Sequence, residues 1–275
     1  MKKLILLDNQ YNANTNDIWK SAIKNGWNTQ RTTSAFVKKD MEGYGFIRYY
    51  GNFLHADRIK DELPFIFDPI PPEILANSYQ FTKRDIKLLK FKDLKQPFDE
   101  DIFVKPCGIK WFEARIYKKG ESINAETIKP DDLIYTSEIV EFRNEVRCFV
   151  LNGEVLTSSL YRINGEVYDT LDLEPEDINF DNRIDETPIR QYVKEIVEKN
   201  PLLPIGLVID FWQLENGDWA LIEFNEAWCS GLYWCDPNKC LDVIINSVID
   251  IKDNNVEVDD YFDLKNKYSN TCFTR

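Results

Sequence analysis

The sequence predicts a protein of two parts, a small parallel α/β unit followed by an α+β domain rich in antiparallel sheet. Strand-like and helix-like segments alternate through roughly the first 80 of the 275 residues, which is typical of parallel βαβ units. After that, Asn-Gly turns begin at Asn152, Asn164 and Asn216, and such turns mark β-hairpins. No stretch approaches the ~20 apolar residues of a membrane-spanning helix, so we expect no membrane partner.

The N-terminal unit is predicted to contain four strands and two helices. The short apolar run at its start is typical of a buried strand. A helix follows because Ile18, Ala22 and Ile23 share one helical face and Gly26 is a stop signal. The strands are placed at residues 3–7, 28–33, 46–50 and 65–67, and the helices at 14–24 and 55–63.

Residues 81–96 are rich in lysine. A solvated helix or connector explains this charge, and a patch for an anionic partner is the alternative. The antiparallel domain then begins with a strand at 101–106, and helices are predicted at 188–199 and 238–249. We therefore divide the chain into an N-terminal α/β domain (1–98), a second domain (99–252) and a polar C-terminal tail (253–275).

The net charge of −13 argues against a nucleic-acid partner, because binding a phosphate backbone needs a basic face. The apolar run near the N-terminus stops at Asp8, too early for a secretory signal. We therefore expect a cytoplasmic protein whose six cysteines are reduced thiols. The only histidine, His55, leaves little room for histidine-dependent catalysis, and the glycine-rich motifs GxxxxGK[ST] and GxGxxG are absent.

The third hairpin is predicted to bring two carboxylates together. A two-residue loop at its Asn-Gly turn would pair Glu215 with Asp218. Counting outward from that pair places Asp210 directly opposite Glu223. The two residues form a non-hydrogen-bonded pair of the antiparallel ladder, in which the Cα atoms are only ~4.5 Å apart. Like charges so placed are destabilising, and Asn225 shares their face. Because carboxylate and amide oxygens are magnesium ligands, we predict a metal site here; a solvated outer face is the alternative.

The first hairpin is predicted to form a cationic face. Counting residues outward from the turn places three residues of its first strand on one face. They lie opposite three residues of the second strand: Arg143 opposite Arg162, Glu145 opposite Leu160, and Arg147 opposite Ser158. Guanidinium groups bind phosphate or carboxylate oxygens with two parallel hydrogen bonds. The face is therefore a candidate anion pocket, and a surface with ordinary ion pairs is the alternative.

Two lysines flank the loop that follows the strand at 101–106. Lys105 precedes Pro106, and Lys110 precedes Trp111 and Phe112. Two cationic side chains around one loop are a candidate site for a polyphosphate.

Together and in this order, these motifs resemble those of the ATP-grasp superfamily. The matching segments are FVKP (103–106), SEIVEF (137–142), EVRCFV (145–150), VIDFW (208–212) and LIEFNE (221–226). The likeness is greatest to the small amidoligase-like clade, whose loop carries a second lysine followed by an aromatic residue, here Lys110 and Trp111. The resemblance implies an ATP-grasp fold for residues 99–252. It also implies that the small α/β domain before them is of the kind that usually precedes an ATP-grasp domain.

The resemblance also implies which residues bind the nucleotide and the cation. Lys105 would contact the ATP phosphates, and Lys110 would reach over them from the loop. The hinge beside adenine would consist of Glu138, Ile139 and Val140. Arg147, with Arg162 in the same pocket, would face the phosphates or an acylphosphate, so that Lys105 and Arg147 are the catalytic candidates. Magnesium would bind to Asp210, Glu223 and Asn225.

The implied activity is ATP-dependent ligation. A substrate carboxylate attacks the γ-phosphate to give an acylphosphate, and an amine or thiol then displaces phosphate. Such phosphoryl transfer depends mainly on positioning and charge neutralisation. The expected partners are small-molecule or peptide carboxylates and amines, and the oligomeric state is not predicted. The alternatives are a nucleotide-binding regulatory or scaffold protein that does not ligate, and a carbohydrate- or peptide-binding module that uses the seven tryptophans.

Overall fold

A computed structural model of the protein describes residues 1–33, 37–108, 111–124, 127–141, 143–163, 166–167 and 185–251. The described residues form two compact units: 1–70 with 143–251, and 71–141. The first unit is therefore built from two separate stretches of sequence. The predicted tail, residues 253–275, lies outside the described residues.

The first stretch has the parallel α/β arrangement that its sequence predicts. Its elements are β1 (Lys3–Leu7), α1 (Ala13–Lys24), β2 (Asn28–Arg31), β3 (Phe46–Tyr50), α2 (Phe53–Ile59) and β4 (Phe65–Phe67). Strands β2 and β3 pair in parallel with β1, one on each side. Helix α1 begins at a capping box in which the side chain of Asn12 accepts from the backbone N–H of Thr15 at 3.0 Å.

The second unit is a four-stranded antiparallel sheet with two short helices. In chain order its elements are α3 (Pro72–Ala76), α4 (Tyr79–Thr82), β5 (Ile86–Lys90), β6 (Ile102–Pro106), β7 (Arg115–Tyr117) and β8 (Leu133–Ser137). The strands lie in the order β5-β8-β6-β7. This sheet contains residues from both sides of the boundary predicted between 98 and 99, because β5 pairs with β8 along its whole length.

The interpretation of residues 81–96 as a solvated helix or connector was wrong. The segment contains strand β5, which is stabilised by pairing with β8 rather than by helical periodicity. Two of its lysines, Lys90 and Lys92, donate to Asp131 Oδ1, at 3.0 and 2.7 Å.

The second stretch of the first unit is built on a five-stranded antiparallel sheet. Its elements are β9 (Asn144–Leu151), β10 (Glu154–Ile163), β11 (Glu166–Val167), α5 (Thr187–Lys199), β12 (Gly206–Gln213), β13 (Trp219–Asn225), α6 (Pro237–Ile244) and β14 (Val248–Asp250). The sheet order is β11-β10-β9-β12-β13. Helix α6 ends before the predicted residue 249 because residues 248–250 pair with β4 instead. The middle Asn-Gly turn, residues 164–165, lies outside the described residues.

The two stretches of the first unit share one apolar core. It joins Ile5 and Ile18 of the N-terminal stretch to Phe149, Val208 and Leu241 of the later one. The parallel and antiparallel sheets of this unit are therefore not independent folding units. Along the described segments, no helix combines the length and apolar character needed to cross a membrane.

A buried arginine also joins the two stretches. Arg48 on β3 donates to both carboxylate oxygens of Asp250 on β14, at 2.8 and 2.7 Å. Its Nε donates to the carbonyl of Ile245 at 2.6 Å, and its guanidinium lies 3.8 Å from the centroid of the Phe46 ring. Because Arg48 is buried, its charge depends on these partners.

The substitution Arg48→Met keeps the apolar stem but removes the guanidinium. We expect it to lower the free energy of unfolding by about 2–4 kcal/mol, because the Asp250 carboxylate and the Ile245 carbonyl lose the hydrogen bonds that Arg48 donates. Urea denaturation measures the change. The control Lys20→Met removes an exposed pair with Asp17 and should change stability by less than about 0.5 kcal/mol. Equal effects of the two substitutions would contradict the joining role of Arg48.

Candidate functional site

A row of polar side chains crosses four strands of the five-stranded sheet. From β10 through β9 and β12 to β13, directly paired residues are Ser159, Arg147, Asp210 and Glu223. The predicted cross-strand pair of Asp210 and Glu223 is thus confirmed. Asn225 lies on the same face, and its Nδ2 donates to Asp210 Oδ2 at 3.0 Å and to Glu223 Oε1 at 3.2 Å.

The β12–β13 hairpin reaches this register by a different route from the predicted one. Its turn has three loop residues rather than two, because the N–H of Leu214 donates to the carbonyl of Asp218 at 2.8 Å. Gly217 supplies the left-handed conformation of this turn, with φ +89°. The register is therefore shifted by one residue near the turn, and an irregularity at Ile222 restores it. A β-bulge thus compensates for the longer loop.

Arg147 and Asp210 form a buried ion pair in the middle of the row. Arg147 Nε and Nη2 donate to the two oxygens of Asp210 at 2.9 and 2.7 Å. Side-chain exposure is only 8% for Arg147 and 0% for Asp210. The remaining terminal nitrogen, Nη1, donates to the carbonyl of Gly231 at 3.0 Å. Bidentate geometry of this kind is strong and directional.

The electrostatics of the row leave an excess of negative charge. Burial raises the pKa of Asp210, the Arg147 guanidinium opposes that rise, and the carboxylate of Glu223 adds to it. Burial disfavours the charge on Arg147, but Asp210 outweighs it and raises the pKa of the guanidinium, which stays protonated. In the row itself, the carboxylates of Asp210 and Glu223 therefore lie beside the one guanidinium of Arg147, an arrangement that favours either a shared proton or a bound cation.

The face predicted around the first hairpin is organised differently. Its two-residue turn at Asn152 and Gly153 is confirmed, with both residues at positive φ. Irregularities between Val155 and Thr157 and between Leu160 and Arg162 then shift the register twice.

The shifted register changes which residues face each other on β9 and β10. Arg147 lies opposite Ser159 rather than Ser158, and Arg162 lies opposite Glu145 rather than Arg143. Arg143 precedes β9. The predicted cross-strand partners were therefore wrong, and Arg143 lies outside the strand. Arg147, Glu145 and Arg162 nevertheless share one face of the sheet, as predicted, because alternate residues of β9 and the residues paired with them point the same way.

Glu145 is a residue of this face to which the sequence motifs assign no role. Its carboxylate accepts from the hydroxyl of Tyr161 and lies 3.3 Å from Arg162 Nε. Burial raises the pKa of Glu145; the Tyr161 hydrogen bond and Arg162 oppose the rise, and Asp210 and Glu223 add to it. Its position two residues before Arg147 on one strand was the available signal, because alternate strand residues share a face.

The other predicted nucleotide-binding residues lie in the second unit. Lys105 is on β6, opposite Tyr135 of β8, with its Nζ 5.4 Å from the centroid of the Tyr135 ring. Glu138, Ile139 and Val140 follow β8 directly. Glu138 Oε2 accepts from the N–H of Asp85 at 2.9 Å, and Ile139 is exposed. Lys110 lies outside the described residues.

The donor set of the row fits a magnesium ion in its chemistry. Hard cations of this kind prefer carboxylate and amide oxygens, and the excess negative charge favours a cation. Glu223 and Asn225 are partly exposed, whereas Asp210 is fully buried. In the part of the chain that the structure describes, no three His, Cys, Asp or Glu side chains gather as a metal site. A cation would therefore rely on two carboxylates and an amide, and share Asp210 with Arg147.

Solved structures with a similar fold belong to ATP-grasp ligases. N5-carboxyaminoimidazole synthetase from Staphylococcus aureus, complexed with ADP, is similar over 90% of this chain and 78% of its own, with a TM-score of 0.54 and 11% identity. D-alanine–D-alanine ligase from Bacillus anthracis, complexed with ATP, is similar over 90% of this chain and 97% of its own, with a TM-score of 0.52 and 13% identity. D-cycloserine synthetase DcsG is similar over 88% of this chain and 98% of its own, with a TM-score of 0.54 and 10% identity.

No curated protein matches the sequence. A family model does match it: residues 81–243 fit the model of the ATP-grasp domain, R2K clade family 2. The matched region covers more than half of the chain and contains the row from Arg147 to Glu223. The predicted ATP-grasp fold is confirmed, and the chain belongs to the R2K clade, family 2, of ATP-grasp domains.

Proposed function

We propose that the protein is an ATP-dependent ligase that joins a carboxylate to an amine, or to a thiol, through an acylphosphate, using Mg²⁺ and ATP. The observation that carries the proposal is the cross-strand pair of the buried Asp210 and the partly exposed Glu223, beside the guanidinium of Arg147. A structural ion-pair network would balance its charges. Excess carboxylate held in place by the sheet instead supports a role in binding a cation that accompanies phosphate.

The residues of the first unit would hold the cation and the transferred group. Glu223, Asn225 and, shared with Arg147, Asp210 would be the ligands of Mg²⁺, which when bound would neutralise charge on the phosphate oxygens. Arg162, whose side chain is about one-third exposed, would contact anionic oxygens of the nucleotide or the acylphosphate. Arg147 would also contact these oxygens, after giving up one of its hydrogen bonds to Asp210 or to the carbonyl of Gly231.

The second unit carries the other residues that the ATP-grasp resemblance implies for nucleotide binding. Lys105 would donate to the phosphates, and Lys110 would reach them from its loop. Glu138, Ile139 and Val140 would lie beside adenine. A substrate carboxylate then attacks the γ-phosphorus with ADP as the leaving group, and the acceptor displaces phosphate from the acylphosphate. These residues would supply position and charge for the two steps, which is most of what phosphoryl transfer requires.

We further propose that the substrates are small-molecule or peptide carboxylates and amines. Two proteins of similar fold are named as a D-alanine–D-alanine ligase and a D-cycloserine synthetase, which supports small acids and amines. The direct test is phosphate release from ATP and Mg²⁺ across a panel of carboxylates, each with and without a panel of amines. Release that requires an acid supports ligation. Nucleotide binding without any acid-stimulated release would instead support the regulatory or scaffold alternative.

Glu223→Gln tests the cation site. It removes one of two carboxylates that lie directly opposite each other, so the ligand-free protein should be unchanged or more stable by a few tenths to about 1 kcal/mol. In the parent protein, AMPPNP with Mg²⁺ at roughly a hundredfold excess over Kd should add about 2.7 kcal/mol of stability. Glu223→Gln should lose the magnesium-dependent part of this gain, as measured by chemical denaturation with and without Mg²⁺.

The matched control is Glu215→Gln, in the exposed turn of the same hairpin, which should behave as the parent does. A clear loss of ligand-free stability in Glu223→Gln would indicate a structural ion pair instead. An unchanged magnesium dependence would remove Glu223 from the ligand set.

Lys105→Ala tests the phosphate contact in the second unit. The loss of one charge-assisted hydrogen bond should weaken Mg²⁺–AMPPNP binding roughly 10- to 150-fold, as measured by isothermal titration calorimetry. The control Lys118→Ala removes an exposed lysine of the same unit that pairs with Asp101 at 2.8 Å, and should leave the affinity within about twofold of the parent. Equal affinities in all three proteins would contradict the role of Lys105.

A further inference from the structure

A short segment of the first unit combines strain with contacts to the ion pair. Tyr233 and Trp234 are consecutive non-glycine residues at positive φ, +44° and +69°. Large side chains rarely adopt this left-handed conformation, and it persists only where the surroundings hold it. We name residues 231–235 the aromatic turn. It begins six residues after Asn225, the last of the proposed metal ligands.

Arg147 provides two of the contacts that hold the aromatic turn. Its Nη1 donates to the carbonyl of Gly231, and its guanidinium carbon lies 4.7 Å from the centroid of the Tyr233 ring. The Tyr233 ring also lies 4.8 Å from the ring of Tyr161. The same guanidinium therefore binds Asp210 with two donors and supports the turn with its third donor and its face.

A cation at Asp210 would compete with this arrangement. Asp210 is fully buried, and both of its oxygens already accept from Arg147. A metal ion bound there would weaken the hold of the carboxylate on the guanidinium, and with it the contacts to Gly231 and Tyr233. The Tyr233 ring favours the cation-free state, in which the Arg147 guanidinium stays paired with Asp210, because the ring holds the guanidinium in place.

We propose that Tyr233 is a positioning residue for Arg147 and that it couples cation binding at Asp210 to the conformation of the aromatic turn. The inference rests on the proposed function and adds a residue to it. Coupling of this kind is reciprocal: cation binding loosens the turn, and loosening the turn favours the cation. The guanidinium released from Asp210 then becomes available to anionic oxygens, which would reconcile its buried pairing with the predicted contact to a phosphate.

Tyr233→Leu separates positioning from a merely structural role. Magnesium is titrated at a fixed concentration of AMPPNP, and the Mg²⁺ midpoint is determined by calorimetry. Without the ring, Arg147 competes less well with the cation for Asp210. The Mg²⁺ concentration at the midpoint should therefore fall about two- to fivefold, the change expected from losing a partly buried cation–π contact. A structural role predicts the opposite, a higher midpoint, because a damaged site binds more weakly.

Two further variants complete the test. Tyr233→Phe keeps the ring and should restore the parent midpoint. Trp234→Leu alters the neighbouring strained residue, which is exposed and for which no aromatic or cation contact is found among the described residues, and should leave the midpoint unchanged. A midpoint that stays the same or rises in Tyr233→Leu overturns the inference, as does an equal fall in Trp234→Leu.

Hydrogen exchange of the parent protein tests the coupling without any substitution. The N–H of Leu232 donates to Asn14 Oδ1 at 3.0 Å, and the N–H of Cys235 donates to the carbonyl of Leu232 at 3.0 Å. Both amides should exchange faster with Mg²⁺ and AMPPNP than with AMPPNP alone. Magnesium-dependent binding without faster exchange overturns this inference and leaves the proposed function intact. A parent protein that binds no Mg²⁺–AMPPNP overturns both.

Discussion

The buried ion pair between Arg147 and Asp210 is the interaction on which the site depends. Both charges are removed from water, which is costly unless each finds its partner in good geometry. The bidentate contact supplies that geometry, and neighbouring strands β9 and β12 hold the two residues directly opposite each other. Asn225 Nδ2 donates to the carboxylates of both Asp210 and Glu223, so these two side chains are tied to the position of Asp210.

Irregularities in the strands set which side chains join this pair. The three-residue turn of the β12–β13 hairpin would by itself place Asp210 opposite the wrong residue, and the bulge at Ile222 corrects this. On the other side, two irregularities in β10 bring Arg162 to Glu145. A shift of one residue moves a side chain to the other face of a sheet. Each irregularity therefore decides whether a charged residue faces the site or leaves it.

The N-terminal stretch anchors the chain that follows the proposed metal ligands. The N–H of Gly51 donates to the carbonyl of Trp228 at 3.0 Å, and the hydroxyl of Tyr50 donates to the carbonyl of Ser230 at 2.9 Å. Asn14 accepts from the backbone of Leu232. The parallel sheet thus packs into the same core as the antiparallel sheet and also fixes the path of residues 228–232. This explains physically why the two stretches form one unit although residues 71–142 separate them.

The pairing of Asp210 with Glu223 was predicted from the sequence, although a longer turn and a compensating bulge produce it in the structure. The sequence by itself determined the alternating strands and helices near the N-terminus, the hairpins at Asn152 and Asn216, and the ATP-grasp resemblance. These depend on local signals, namely apolar periodicity, Asn-Gly turns and short motifs, which act over a few residues. It did not determine that the lysine-rich segment forms β5, that Glu145 faces Arg162, or that Arg147 binds Asp210. Those outcomes depend on contacts between residues far apart in the chain. Only the tertiary structure decided them, because strand partners and bulges select among the pairings that local signals leave open.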